Sequence, residues 1–362
     1  MKKSIAIICN YDLRPNRIGG MDRFFKLFNS KLLKEEYSVL WFFSEYQPFE
    51  FYDNFKIITP KANQKITDCF LDYISKHNLK FDFLVSHFIE TISPFYKKCK
   101  LLGVKKIYSV DHMPRPLEGY SIEKKIKRRI KGFLYSKYTD KIIGVSKYII
   151  KMAEIDYGKK AAKKVHVIYN GIDVERFHFK TDFTQKNKIK FIVPTNLRPE
   201  KGIQDLILAI KYMDSNLRNK FSVDIYGTGK YEDVLKKMVV DNDLSQIITF
   251  KGSTTELYKL FLEYDYTIQP TYMEVFSLTI LESLACNVPV ITTPVGGNLE
   301  AITDGVNGYI FKPKDINKLS EIIRKIVFSE LEIENKNLRN NIENNFTLEL
   351  MVENHFNLLK CI

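Results

Sequence analysis

Short, continuous apolar runs alternate along the chain with stretches in which apolar residues recur at three- and four-residue steps. The runs predict buried strands, and the stepped stretches predict amphipathic helices. Strands are expected at Ile5–Cys9, Val39–Phe43, Lys56–Thr59, Phe83–Ser86, Lys106–Val110, Lys141–Val145 and Val165–Tyr169. A second series is expected at Lys190–Pro194, Ser222–Tyr226, Ile247–Phe250, Tyr266–Gln269, Val288–Thr292 and Tyr309–Phe311. Strands separated by helices in this way pair in parallel and give an α/β architecture. A polar stretch without strong periodicity, Asp173 to Lys188, divides the two series and reads as a linker. The expectation is two doubly wound, Rossmann-like domains, residues 1–172 and 173–345, followed by a helical tail over 346–362. Two such domains place a ligand cleft between the C-terminal edges of their strands.

Composition narrows the class. At 362 residues the chain can build two full cores. An apolar fraction of 45% and a charged fraction of 27% suit a soluble globular protein. No apolar run approaches the ~18 residues that cross a bilayer. Lys2 and Lys3 before Ile5–Cys9 imitate a signal peptide, but Asn10, Asp12 and Arg14 follow at once, so this is read as a first core strand. Five scattered cysteines (Cys9, Cys69, Cys99, Cys286 and Cys361) form no C-x-x-C pair. Neither a zinc site nor a disulfide framework is expected, and a reducing cytoplasm is the simplest compartment. A net charge of +13 calls for an anionic partner: nucleic acid, a nucleotide-sugar or an anionic membrane surface.

The chemistry concentrates in Met273 to Gly297. Glu274 stands in a loop, and Ser277 is placed to cap a short helix from about Leu278 to Cys286. Asn287 and Pro289 end that helix before a buried strand. The N–H groups around Phe276, Ser277, Leu278 and Thr279, together with the helix dipole, make an anion site suited to a diphosphate, with Val275 beside them read as donor-binding. Glu282 lies about one turn inside the helix and approaches the same place as Glu274.

This pair resembles the Glu-x7-Glu motif of retaining glycosyltransferases of the GT-B fold, specifically glycosyltransferase family 4. The likeness continues through the helix, the Asn287-to-Ile291 strand, Pro294-Val295-Gly296-Gly297 and Asp304-Gly305-x-x-Gly308. The resemblance implies that Glu274 touches the donor sugar and Glu282 holds the nucleotide ribose. It also implies a tail that crosses back to the first domain. Pro194 to Gly202 resembles the family's Gly-Arg-x-x-x-Glu-Lys-Gly segment, whose cations grip the diphosphate. Lys201 matches; the usual Arg position is Asn196 here, and the nearest arginine is Arg198. Two cations there would offset charge on the leaving group without a metal. Backbone at Gly252 is expected against the nucleobase.

In the first domain, Gly19-Gly20-x-x-Arg23 resembles the family's segment near the reacting phosphate and the acceptor. Glycines there let the backbone approach a phosphate, with a plain turn as the alternative. Asp111 and His112 end a strand before a proline-stiffened loop, and the resemblance implies that His112 contacts the donor sugar. His87 is similarly placed, with a structural role equally open. Ser146 is expected to cap the following helix, and Asn170-Gly171 to form a tight turn at positive φ.

Residues 121–138 combine Ile122, Ile126, Ile130, Phe133 and Leu134 in one helical stripe with Lys124, Lys125, Lys127, Arg128, Arg129 and Lys131. Such a helix suits an anionic membrane surface; alternatively its stripe packs on the first domain. The helix and the net charge give the expectation of peripheral attachment to the cytoplasmic face of a membrane; the resemblance implies a retaining, metal-independent hexosyltransferase without a cofactor. Its donor would be a nucleotide-sugar, UDP-hexose or UDP-N-acetylhexosamine. The acceptor would be a glycan or lipid-linked hydroxyl in bacterial surface glycan synthesis. The alternatives are another GT-B enzyme, such as a nucleotide-sugar epimerase or a phosphorylase, or a non-catalytic basic binder of membrane or nucleic acid. No pyridoxal-phosphate lysine motif and no nucleic-acid motif is apparent, so nucleic acid is not expected as a partner.

Overall fold

A computed structural model describes residues 2–182, 188–334 and 337–360. Residues 183–187 of the expected linker, and Cys361 with the end of the tail, lie outside the described residues. The chain divides into two compact units. The first holds residues 1–113, 119–171 and 348–362, and the second holds 114–118 and 172–347.

The first unit is built on a parallel sheet of β1 (Ser4–Leu13), β2 (Ser38–Tyr46), β3 (Ile57–Ile58), β4 (Phe83–His87), β5 (Lys106–Asp111), β6 (Lys141–Gly144) and β7 (Val165–Val167). Their order is β3-β2-β1-β4-β5-β6-β7. The connecting helices include α1 (Gly20–Lys34), α2 (Ile66–Lys76), α3 (Pro94–Leu101), α4 (Ile122–Tyr135) and α5 (Tyr148–Tyr157). β1 and β4 are buried runs because both sheet faces are covered. One face packs Ile8, Phe42 and Leu84 against Phe70 and Tyr96. The C-terminal helix Leu348–Lys360 belongs to this unit: Glu353 pairs with Lys31 of α1 at 3.1 Å, and the His355 ring lies 4.8 Å from Phe24.

The second unit repeats the plan with β8 (Ile189–Pro194), β9 (Phe221–Tyr226), β10 (Ile248–Gly252), β11 (Tyr266–Gln269), β12 (Val290–Thr292) and β13 (Gly308–Ile310). The order is β10-β9-β8-β11-β12-β13, again parallel. In each unit the strand order reverses beside the first strand, between β1 and β4 and between β8 and β11. Doubly wound sheets bind ligands at such reversals, where the loops leaving adjacent strands run to opposite sides of the sheet.

Three local expectations need correction. Neither Asn170 nor Gly171 has positive φ; the Gly171 N–H instead reaches Met351 Sδ at 3.4 Å. The cap of α5 falls on Lys147, not on Ser146. The stripe of α4 does not pack on the unit. It faces solvent, and the buried positions of that helix are Arg128 and Gly132. Cys9, Cys69, Cys99 and Cys286 are buried free thiols.

Candidate functional site

The switch point of the second unit carries the densest set of expected residues. From β8 the chain runs through Thr195–Arg198 into a single 3-10 turn, Pro199–Lys201, ended by Gly202 at φ 71°. A Cβ at Gly202 would stand 1.9 Å from the Pro270 carbonyl oxygen, so only glycine lets this turn lie on the loop leaving β11. Tyr272 N–H donates to the Glu200 carbonyl at 2.8 Å and ties the two loops together. The result is an ion pair: Lys201 Nζ lies 2.9 Å from Glu274 Oε2, with both side chains about one-fifth exposed. Glu274 Oε1 accepts from its neighbour's N–H, that of Val275, at 3.2 Å.

Behind Glu274 the chain is clamped by Gly296 and Gly297. Gly297 N–H donates to the Val275 carbonyl at 2.7 Å. Gly296, at φ 60°, approaches so closely that a Cβ would lie 2.2 Å from the Glu274 carbonyl oxygen. Ser277 then caps the helix Leu278–Ala285 as expected, its hydroxyl accepting from Ile280 N–H. A buried amide network fixes that cap. Gln269 donates to Ser277 Oγ at 2.6 Å, and Asn298 reaches Gln269 and Thr292. Leu278 and Thr279 carry the first helical N–H groups, which have no partner within the helix. Glu282 follows on the same helix and is half-buried. The helix closes on Asn287 at φ 58°, with Asn287 N–H to Leu284 O and Val288 N–H to Ser283 O.

Val275 and Phe276 are buried, and the Val275 N–H and carbonyl are taken up by Glu274 and Gly297. Arg198 is 62% exposed and 3.9 Å from Glu200. Asn196 is exposed too. Gly252, at the end of β10, has open space where a side chain would stand. Its carbonyl accepts from Gly227 N–H at 2.8 Å. Lys201, Glu274, Ser277 and Leu278 thus lie on two tied loops and the helix start that follows, at the β8/β11 switch point.

The first unit gathers its own group. Gly19 and Gly20 start α1, and Arg23 is half-exposed one turn in. Asp22, which the sequence reading passed over, is wholly buried and governs this turn. It accepts from Gly19 N–H at 2.8 Å, from the Tyr11 hydroxyl at 2.8 Å and from the Tyr52 hydroxyl at 2.7 Å. Its signal was an acidic residue at the third helical position, where it complements the dipole. His87 is buried rather than crevice-facing, with Nδ1 3.1 Å from His112 Nε2. His112 is largely buried and stacks on Phe88, ring centroids 4.3 Å apart. Burial holds His112 down at about 3, with nearby His355 adding to the effect and Asp111 opposing it. Burial also holds His355 at about 4 and His87 well below the usual range. All three rings are therefore neutral at pH 7. Asp111 is buried, its carboxylate accepting from Met113 N–H at 3.0 Å, so it shapes the loop that carries His112. Among the described residues no group of three or more His, Cys, Asp or Glu is placed to hold a metal ion. No described helix is long and apolar enough to cross a membrane.

Comparison with known proteins gives matches along both units. The family model "Glycosyl transferases group 1" matches residues 173–346, and "Glycosyltransferase Family 4" matches residues 18–176. An uncharacterized glycosyltransferase of Methanocaldococcus jannaschii is 32% identical over 210 residues, 57% of this chain and 56% of the relative. An uncharacterized 41.2 kDa protein in the cps region of Klebsiella pneumoniae is 30% identical over 236 residues, 62% of this chain and 63% of the relative. The match therefore spans 56% and 63% of the length of these two curated relatives. Among solved structures, Anabaena HepE in complex with UDP and glucose superposes with a TM-score of 0.76 at 15% identity, covering 99% of each chain. The lipopolysaccharide outer core galactosyltransferase WaaB superposes with a TM-score of 0.75 at 16% identity, covering 98% of each. At such identities these likenesses concern the fold.

Proposed function

We propose, since the chain belongs to the group 1 and family 4 glycosyltransferases of GT-B fold, that it moves a sugar from a nucleotide-sugar to an acceptor hydroxyl with retention of anomeric configuration. The observation that carries this reading is the Lys201–Glu274 pair beside the Ser277-capped helix start at the β8/β11 switch point. A diphosphate at that helix start meets N–H dipoles and the Lys201 ammonium, and both stabilise the charge that grows as the sugar leaves. Glu274 faces the sugar, and its charge is offset by Lys201. Glu282, one turn on, holds ribose hydroxyls. Arg198, on the same loop as Lys201, supplies a second cation once it turns inward.

In the step itself the bond from the anomeric carbon to the diphosphate oxygen breaks. A bond to the acceptor oxygen forms on the same face, and the acceptor proton passes to the departing phosphate. Lys201 and the helix dipole supply the stabilisation that a metal would otherwise give. The donor is a UDP-hexose or UDP-N-acetylhexosamine, a reading supported by the UDP held in the HepE structure. His112, neutral at pH 7, offers a hydrogen-bonding nitrogen to the sugar, while Gly19, Gly20 and Arg23 border the acceptor. The acceptor is a lipid-linked or polysaccharide hydroxyl in surface glycan synthesis, met at the inner face of the cell membrane. The Klebsiella relative's place in a cps region and the WaaB likeness support this. A panel of nucleotide-sugars incubated with purified protein and a chelator, scored by release of free nucleoside diphosphate, tests the reading. Turnover of a UDP-sugar is expected. Turnover of none, or turnover only after magnesium is restored, contradicts it.

A further inference from the structure

The helix α4 is mounted inside out. Ile122, Ile126, Ile130 and Phe133 recur at three- and four-residue steps and share one face. That face is turned to solvent, with Phe133 85% and Ile122 76% exposed. The opposite face holds the helix in place. Arg128, 4% exposed, donates to Asp156 of α5 at 2.9 Å, and its guanidinium lies 4.6 Å from the centre of the Tyr157 ring. Four residues on, Gly132 sits so close to α5 that a Cβ would stand 2.1 Å from the Tyr157 carbonyl oxygen. The anchor is centred on Arg128 and Gly132, with Arg129 donating to the Glu154 carbonyl at 2.7 Å and Lys131 pairing with Glu90 at 2.6 Å, and the apolar stripe is left without a partner in its own unit.

The borders of the stripe are cationic. By helical spacing Lys125 and Arg129 flank it on one side and Lys127 and Lys131 on the other. On the second side a cavity of about 290 Å³ opens, lined by Lys124, Lys127 and Lys131 with Glu90 opposing them. An exposed apolar stripe between two rows of lysine and arginine fits an anionic lipid surface: the stripe sinks to the acyl boundary and the cations meet phosphates. A second copy of this chain fits poorly, because it would bring like-charged borders together.

We propose that α4 inserts its Ile122–Ile126–Ile130–Phe133 face into the headgroup region of an anionic membrane, so that attachment is hydrophobic as well as electrostatic. This rests on the peripheral-membrane reading above and specifies its mode. An attachment through charge alone would be reversed fully by salt, whereas insertion leaves a salt-resistant part.

The test is flotation of the full chain with phosphatidylglycerol–phosphatidylcholine vesicles at low and high salt. The wild type is compared with Ile126→Ser/Phe133→Ser and with Lys125→Glu/Lys127→Glu. Both variants change exposed side chains; Arg128 is spared because its loss would unseat the helix. Wild type is expected to float at low salt and to remain partly bound at high salt. The serine variant is expected to lose about tenfold or more of its partitioning and all of the salt-resistant part, with nucleotide-sugar turnover in solution unchanged. The glutamate variant is expected to lose binding chiefly at low salt. Equal flotation of wild type and the serine variant overturns insertion while leaving the peripheral reading standing. No flotation of wild type overturns both. A wild-type dimer that the serine variant abolishes, without flotation, assigns the stripe to a second copy and overturns the proposal too.

Discussion

Lys201 and Glu274 are 73 residues apart in sequence and 2.9 Å apart in space. The loops after β8 and β11 bring them together, and two glycines make the approach possible, Gly202 on one loop and Gly296 behind the other. The pair leaves Glu274's charge offset, so under the proposed function a diphosphate would meet a cation rather than a bare carboxylate.

The first prediction concerns that cation. Lys201→Ala should lower kcat for nucleotide-sugar turnover by roughly 10²-fold or more, because it removes stabilisation of the leaving diphosphate and exposes that group to Glu274. Steady-state kinetics of purified variants measure it. Undiminished turnover in Lys201→Ala would remove Lys201 from the mechanism.

The two glutamates should separate by role. Glu282→Ala should weaken nucleoside diphosphate binding by ~1–3 kcal/mol, the worth of a charge-assisted hydrogen bond. Glu274→Ala should leave that affinity nearly intact and reduce turnover. Calorimetry that finds equal losses of affinity in both variants contradicts the assignment.

The glycine clamps should be sensitive although neither has a side chain to contact anything. Gly296→Ala forces a Cβ into left-handed backbone, costing about 1–2 kcal/mol. It must also push Glu274 away, since the Cβ would sit 2.2 Å from its carbonyl oxygen. Urea unfolding should record lower stability, and kinetics should record lower kcat in the protein that remains folded. An alanine variant with wild-type values on both counts would mean that the loop is not held as described.

Stability should fall in mild acid. Burial depresses His112 to about 3, His355 to about 4 and His87 well below its ordinary range. An unfolded histidine takes its proton near 6.5, about three units above those buried values. Between the two, the unfolded chain binds more protons than the folded one, so stability is complete above about pH 6.5 and declines as pH falls toward 3. The rings face Phe24, Phe25 and Phe88, with Asp111 the acid that opposes the shift at His112. His355→Phe should keep the ring packing and flatten the slope. Urea midpoints for wild type and variant that decline in parallel through this range would show that His355 is not a source of the loss.

The fold was legible because a strand buried on both faces writes an unbroken apolar run. Each of the thirteen expected strands has a counterpart in the two sheets, and the misses lie at ends. Val288, expected in a strand, gives its N–H back to Ser283 and finishes the preceding helix, so β12 begins at Val290. The Ser277 cap was legible from residue type, and the Lys201 and Glu274 positions from motif order. Asp22, Gln269 and Asn298 were not singled out, because buried polar residues that position others differ from solvated ones only through distant partners. The α4 stripe shows the same limit in reverse. Periodicity gives the stripe but not the direction in which it points. That direction depends on Asp156, 28 residues from Arg128, and on the Tyr157 carbonyl behind Gly132.

The most direct test of the account is the anomeric configuration of the sugar as it leaves the donor. Proton magnetic resonance, followed from the first minutes of reaction with an α-linked UDP-sugar, reads it in the transferred product or in the sugar first released to water. An α-configured product is expected, formed roughly 10²-fold or more slowly by Lys201→Ala at matched protein concentration. A β-configured first product would contradict it.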